Sequence, residues 1–264
     1  MFTQAIVRPP AENFSDGLTT AGLGPPDYKL ALAQHEAYCA ALERCGLNLT
    51  RLDPDPDYPD STFVEDVAIV TERLAIITRP GAPSRRGEVQ GIRKVLAGCF
   101  ESFSEIQAPG TVDGGDVCQA GEHFFIGVSA RTDEAGAKQL AVLLRRHGYS
   151  STIVDVLTPS PSGTLAAGTW LHLKSGVAYL GDNRLAITEA WSDQPAFAGF
   201  DLVQVNAREE YAANCVRINH HVLLAAGYPE LESGLGTLGY QTIAVEMSEF
   251  QKMDGGLSCL SLRF

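Results

Sequence analysis

The chain lacks most of the signatures that announce a function outright. Among its 264 residues no two cysteines form a C-x-x-C pair, which excludes the zinc ribbon and the thioredoxin-type redox motif. There is no G-x-S-x-G elbow, no phosphate-cradling loop of the P-loop spacing, and no G-x-G-x-x-G running from a strand into a helix. No apolar run approaches the roughly 20 residues that cross a bilayer. Basic residues are scarce, 20 Lys and Arg against 32 Asp and Glu, leaving a formal charge of −12. Such a surface repels phosphate backbones and attracts cations, so nucleic acid is not expected as a partner. The stretch Met1 to Pro9 has no basic segment followed by an apolar core, so a secretory signal is not expected. The cysteines, at 39, 45, 99, 118, 215 and 259, are therefore expected to be reduced thiols in the cytoplasm, most of them acting as small buried hydrophobes.

What is present is an ordinary globular balance, 45% hydrophobic and 20% charged, with no linker, expected to fold as one domain over residues 1–264. The one low-complexity stretch, 158–168, reads as a surface loop, with a lid ahead of His172 as the other reading. The pattern of apolar periodicity predicts a helix over residues 28–46, closed by Gly46, then a strand over 48–52. From there a strand–turn–strand–helix–strand unit recurs at roughly 50-residue intervals. Strands are expected at 63–70 and 74–78 with a helix at 86–98. The next unit has strands at 116–120 and 124–128, a helix at 134–147 and a strand at 151–156. Further strands are expected at 171–180, 185–188, 215–218, 222–225 and 242–245, with a helix over 230–238 and a final strand at 257–262. Short hairpins between helices argue against a doubly wound parallel sheet. An α/β propeller of mixed blades around a central pore fits better, and in such a ring residues far apart in sequence can share one site.

Nucleophilic catalysis near neutral pH needs a thiol or hydroxyl, a proton shuttle and a group that orients the shuttle. Cys259, expected on a strand after the Gly255-Gly256 turn, is a candidate nucleophile, with a buried structural cysteine as the competing reading. Of six histidines, His35 and His147 read as surface residues of helices, and His123, His220 and His221 fall in turns. His172 lies in an apolar segment, where an imidazole is costly unless hydrogen-bonded, so it is either a satisfied core residue or a functional one. Acids cluster at Asp60 to Asp66 and at Asp113-Gly114-Gly115-Asp116. Turn formation accounts for Asp60 and Asp113 but poorly for Glu65 and Asp66. That pair is expected on opposite faces of a strand, and a buried carboxylate there needs a cationic partner. The stretches around Arg85 and Arg131 offer guanidinium forks for a carboxylate, although Arg85-Arg86 also reads as the start of a solvated helix.

Seven segments, taken in order, resemble the dimethylarginine dimethylaminohydrolases of the guanidine-modifying superfamily. They are residues 63–66, 78–86, 111–117, 129–132, 171–176, 211–215 and 254–259. The resemblance implies a five-bladed α/β propeller (pentein) with ββαβ-type repeats around a central active-site pore. It implies Cys259 as nucleophile, His172 as general acid and base, and Asp113 as the acid orienting His172. Glu65 and Asp66 would hold the guanidinium, with Phe63 packing nearby and Asp60 assisting. Arg85 and Arg131 would fix the amino-acid carboxylate, and the backbone carbonyls of Leu18 and Met253 would receive the amino group. Some members of the superfamily carry Glu at the orienting position; Asp113 is shorter by one methylene. No metal or organic cofactor is implied. The expected partner is a small guanidinium substrate: dimethylarginine, with monomethylarginine also used, hydrolysed to citrulline and an amine. Three alternatives share the fold: an arginine deiminase acting on an unmethylated guanidine, an amidine transferase, and a non-catalytic factor binding ribosomal surfaces. The acidic charge disfavours the last, and the absence of an inserted helical region disfavours the deiminase.

Overall fold

The computed structural model of the chain describes residues 1–101, 103–157 and 170–264, so the 158–168 segment lies outside the described residues. Five three-stranded sheets carry the structure. In chain order the strands are β1 Gln4–Val7, β2 Asn48–Arg51, β3 Ala68–Val70, β4 Ala75–Ile77, β5 Phe103–Glu105, β6 Val117–Ala120, β7 His123–Val128 and β8 Ser150–Asp155. They continue with β9 Val177–Gly181, β10 Arg184–Thr188, β11 Asp201–Val205, β12 Val216–Ile218, β13 His221–Ala225, β14 Gln241–Val245 and β15 Ser261–Arg263. The α-helices are α1 Tyr28–Arg44, α2 Val89–Leu96, α3 Glu134–Arg146, α4 Pro229–Thr237 and the short α5 Ser248–Gln251.

Each sheet repeats one pattern. A middle strand pairs antiparallel with a first strand and parallel with a third, reached by a crossover, as in β6–β7–β8. α2, α3 and α4 make the crossovers of three sheets, and α1 links β1 to β2. Between β10 and β11 the crossover consists of 3-10 turns instead. The remaining sheet is closed by the end of the chain: β15 pairs antiparallel with β1, Ile6 opposite Leu262. The ring of mixed blades expected from the repeat, and the five blades implied by the resemblance, are therefore present.

Local chemistry explains the helices. Asp27 caps α1 by accepting from the Leu30 N–H, and Asp133 caps α3 by accepting from the Gly136 N–H. Apolar residues three and four apart then face the sheets: Ala31, Tyr38 and Leu42 on α1, Ala137, Leu140 and Leu144 on α3. His35, read as a surface residue, is buried on the same face of α1, its ring against Phe250.

Three expected strands are shorter than their apolar runs. Residues 64–67, 173–175 and 258–260 form 3-10 turns before β3, β9 and β15. Equivalent turns at 114–116 and 210–213 precede β6 and β12. Apolarity alone does not separate such turns from strand, because both are buried here. β1, β5 and β11 had no sequence expectation; β5 has three residues, none of them buried, and shows no readable alternation. Among the described residues no helix is long and apolar enough to cross a membrane.

If the ring depends on its closing strand, Leu262 should be a sensitive position. It is buried on β15 against Ile6, Val64 and Ile77. Leu262→Ala is expected to lower stability by about 2–5 kcal/mol. The exposed Leu238→Ala should stay within about 0.5 kcal/mol. Urea midpoints of the two variants check this.

Candidate active site

The five 3-10 turns have the same internal bond. The N–H groups of Asp66, Asp116, Ser175, Asn214 and Cys259 donate to the carbonyls three residues earlier, on Phe63, Asp113, His172, Tyr211 and Gly256. Side-chain hydrogen bonds then join each turn to the next. Ser258 Oγ donates to Glu65 Oε2 at 2.7 Å, Gly115 N to Asp66 Oδ1 at 2.9 Å, and Leu173 N to Asp116 Oδ1 at 2.9 Å. Asn214 Nδ2 donates to the Lys174 carbonyl at 2.8 Å, and Ser258 N donates to Asn214 Oδ1 at 2.9 Å. The circle is complete, and it separates two cavities.

One cavity is a small pocket, with a volume of about 20 Å³. Nine of the eleven residues named from the sequence line it: Leu18, Asp60, Phe63, Asp66, Arg85, Arg131, His172, Met253 and Cys259. Leu171, Asp254 and Gly255 complete the wall and were not singled out as site residues. The loop bearing Leu18 is tied to the pocket wall and to the segment beside it. Leu18 N donates to Asp60 Oδ1, Thr19 Oγ1 to the Lys252 carbonyl, and Thr20 N to Asp254 Oδ2.

His172 immediately precedes its turn in extended conformation, and its Nε2 lies 3.3 Å from Asp113 Oδ2. Asp113 is fully buried behind the imidazole and does not line the pocket; its other oxygen accepts from the Gly81 N–H at 2.8 Å. Gly115 is required at this point, since a Cβ there would come within 2.7 Å of the imidazole ring. Gly81 likewise lets its loop lie against the Arg131 backbone, where a Cβ would collide with the Arg131 carbonyl. Burial, the largest effect on His172, pushes its pKa down. Asp66, Asp116 and Asp113 outweigh it and carry the imidazole up to about 9.

Cys259 is also buried, at 9% exposure, and sits within the last 3-10 turn and not on a strand. Its sulfur accepts a long bond from the Gly256 N–H at 3.5 Å. Burial first, then Glu65 and Asp66, push the thiol up to about 12, so the resting sulfur is protonated. Asn214 braces this turn through both the N–H and the hydroxyl of Ser258, and Tyr211 donates to the Gly255 carbonyl.

The carboxylates separate. Asp66 faces the pocket, accepting from Arg85 Nη1 at 2.6 Å and from Gly115 N. Burial raises its pKa most strongly, but His172, Arg85 and the Gly115 N–H together bring it down to about 2. Glu65 points to the other side of the ring. Lys174 Nζ at 2.6 Å, Arg263 Nη2 at 3.3 Å and Ser258 Oγ hold its carboxylate. It lines the second cavity, a channel of about 620 Å³. Of the two acids expected to hold one guanidinium, Asp66 lines the pocket and Glu65 does not. Neighbours in the chain at a ring of turns face opposite cavities, and Glu65 already has two cations.

Arg85 is not the start of a solvated helix. It is buried, with Nε and Nη2 on Glu88 and with further bonds to the Asp60 and Phe63 carbonyls, so only part of its fork faces the pocket. Arg131 is the less committed guanidinium: the bond recorded for this residue is its backbone N–H to Ser129 Oγ. Among the described residues two groups bring three potential metal ligands within 4.8 Å, His35/Glu36/Cys39 and Asp66/Asp113/His172. In both, carboxylates are already engaged, Glu36 by Arg51 and the aspartates by Arg85, Gly115 and Gly81.

Comparison with known proteins agrees with this geometry. The sequence profile of the arginine deiminase family matches residues 50–173. The chain is 45% identical to the N(G),N(G)-dimethylarginine dimethylaminohydrolase of Pseudomonas aeruginosa over 265 aligned positions, covering 100% of both chains. It is 35% identical to the Streptomyces coelicolor protein of the same name, covering 98% of this chain and 96% of that one. A solved structure of the Pseudomonas aeruginosa enzyme in complex with citrulline superposes with a TM-score of 0.94 at 44% identity over the whole of both chains. With its ring of five sheets and its buried Cys–His pocket, the chain belongs to the dimethylarginine dimethylaminohydrolase family.

Proposed function

We propose that the chain hydrolyses Nω,Nω-dimethyl-L-arginine, and monomethyl-L-arginine with it, to L-citrulline and the corresponding amine through a covalent thiouronium on Cys259. One observation carries the reading. A buried thiol, an acid-paired imidazole and the carboxylate of Asp66 meet in one pocket, in a chain 45% identical to such an enzyme along its full length.

The chemistry follows from the charges. A guanidinium stays protonated at any working pH. Asp66 offsets its desolvation, while Phe63, Met253 and Leu171 offer apolar contact. The positive carbon beside Cys259 lowers the cost of ionising the thiol, so binding creates the thiolate, its proton passing to solvent because His172 already carries one. Sulfur attacks the guanidinium carbon and a C–S bond forms. The C–N bond to dimethylamine breaks as the His172 imidazolium gives that nitrogen a proton. Water then adds to the thiouronium carbon, the neutral imidazole takes its proton, and the C–S bond breaks to return the sulfur and release citrulline. Asp113 helps to aim the imidazole in both steps. Arg131, helped by Arg85, holds the amino-acid carboxylate, and the carbonyls of Leu18 and Met253 receive its amino group. Release of Lys252 and Asp254 by the Leu18 loop would widen the way in for substrate.

The deiminase alternative uses the same groups on arginine, and the arginine deiminase profile match keeps it in view. The deciding assay is citrulline release from asymmetric dimethylarginine and from arginine in parallel. Turnover of the methylated substrate is expected to dominate; turnover of arginine alone would move the chain to the deiminases. Cys259→Ser is expected to lose about 10³-fold or more in kcat while still binding substrate.

Two further measurements test the charge assignments. Because Cys259 ionises only far above neutrality in the free protein, its alkylation by iodoacetamide should rise about tenfold per pH unit from pH 7 to beyond 9. A rate that levels off below pH 7 would contradict a protonated resting thiol. Asp66→Asn should raise KM by about tenfold, since it removes the pocket-facing charge. Glu65→Gln should instead lower stability by about 2–4 kcal/mol, as it strips Lys174 and Arg263 of their shared anion, and should move KM less than Asp66→Asn does.

A further inference from the structure

Asp116 is fully buried and is not part of the pocket wall, yet three site residues hang from it. Its Oδ1 accepts from the N–H of Leu173, the residue after His172, at 2.9 Å. Its Oδ2 accepts from Thr132 Oγ1 and from Ser129 Oγ, both at 2.7 Å. Each hydroxyl, having spent its proton on Asp116, accepts from a backbone N–H. Thr132 Oγ1 takes the N–H of Asp113 at 3.1 Å, and Ser129 Oγ takes the N–H of Arg131 at 2.9 Å. One carboxylate therefore fixes the backbone beside the shuttle, at its orienting acid and at the carboxylate clamp. We propose that Asp116 is a positioning residue for the hydrolysis, setting His172, Asp113 and Arg131 in one mutual geometry without touching substrate. The inference rests on the function proposed above.

The hydroxyl polarity makes Asp116 hard to replace. Ser129 Oγ already accepts from the Arg131 and Thr132 N–H groups, which fills both its lone pairs, so its hydroxyl can only donate; Thr132 Oγ1 accepts from the Asp113 N–H and turns its own hydrogen to Asp116. An amide at position 116 has the right shape but presents an NH₂ on one side. Turned toward the hydroxyls, that group meets two donors; turned away, it meets the Leu173 N–H. Either way one branch breaks. The substitution also removes a charge near His172. The charged and titratable groups facing His172 are Asp66 from the first inner turn, Asp113 and Asp116 from the second, and Cys259 from the last, with Asp60, Arg85 and Arg131 in the pocket wall. Removing one of the three acids that hold the imidazolium lowers its pKa. The alkaline limb of kcat, which reports loss of the proton for the leaving amine, then moves to lower pH.

Turnover of asymmetric dimethylarginine by the unmodified protein is measured first, and its absence would defeat the functional reading and not the positioning role. Given turnover, Asp116→Asn is expected to lose about tenfold or more in kcat. Its alkaline limb should shift down by about one pH unit. The branches are then cut singly. Thr132→Val should lower kcat with little change in KM, and Thr132→Ser should restore it. Ser129→Ala should raise KM with little change in kcat. A merely structural role would weaken all variants alike in folded fraction, leaving the per-molecule constants and the pH limb in place. That result, or wild-type kcat and pH limb in Asp116→Asn, overturns the proposal. Should Asp116→Asn fail to fold, the Thr132 and Ser129 variants decide: the opposed kcat and KM effects support the role, and their absence refutes it.

Discussion

The structure depends on a circle of five hydrogen bonds, each from one inner turn to the next: Ser258 to Glu65, Gly115 to Asp66, Leu173 to Asp116, Asn214 to Lys174, and Ser258 to Asn214. Each sheet supplies one turn, so the circle forms only when all five blades are in place and β15 has closed the ring on β1. A 3-10 turn is short and tight, and its side chains leave in directions a strand does not allow. At the axis of a ring this means that consecutive residues can serve opposite ends. Asp66 and Glu65 do so, one facing the small pocket, the other the channel. Closing the fold and assembling the site are the same event.

The charge state of that site differs from a preformed thiolate–imidazolium pair. With the imidazole carried up to about 9 and the thiol up to about 12, the resting protein at neutral pH holds both protons. The acid needed by the leaving amine is loaded in advance, and the nucleophile is not. The site keeps its shuttle charged by placing it among Asp66, Asp113 and Asp116, while burial, Glu65 and Asp66 make a thiolate costly until a cation arrives. A neutral ligand would leave the sulfur inert, so activation and recognition of the guanidinium are one interaction. This also protects a buried thiol from indiscriminate reaction.

Much of this was legible in the sequence, for different reasons. The ring followed from hairpins alternating with helices at a regular interval, which a radial arrangement accommodates better than a doubly wound sheet does. Cys259, His172 and Asp113 were ambiguous one by one, and only the ordered resemblance separated them from core residues. The structure brings them together, His172 on Asp113 and Cys259 in the same pocket wall. For Glu65 and Asp66 the residue-level reading was the better guide, because it put them on opposite faces, whereas the resemblance assigned both to the guanidinium. What stayed hidden depends on turns. The apolar stretches before β3, β9 and β15 look like strand because burial, not periodicity, dominates them. Asp116 stood out only as one member of an acidic cluster, since nothing in the order of residues shows that Ser129 and Thr132 return to it.

The short acid at position 113 ties these points together. An imidazolium and a carboxylate in a strong charge-assisted bond approach to about 2.7–2.9 Å. Asp113 stands at 3.3 Å from His172, with its other oxygen committed to Gly81. One methylene fewer than Glu has cost it reach, and a loose bond of this kind orients a ring poorly. The imidazole is nevertheless confined. Gly115 admits the ring so closely that a Cβ could not be tolerated, and the backbone that carries it is held at Leu173 by Asp116. Orientation that a longer acid would supply through the side chain is here supplied largely through the main chain. A shuttle held in that way keeps its aim whether or not it carries a proton. The two halves of the proposed reaction require that, because in it His172 gives a proton to the amine and later takes one from water.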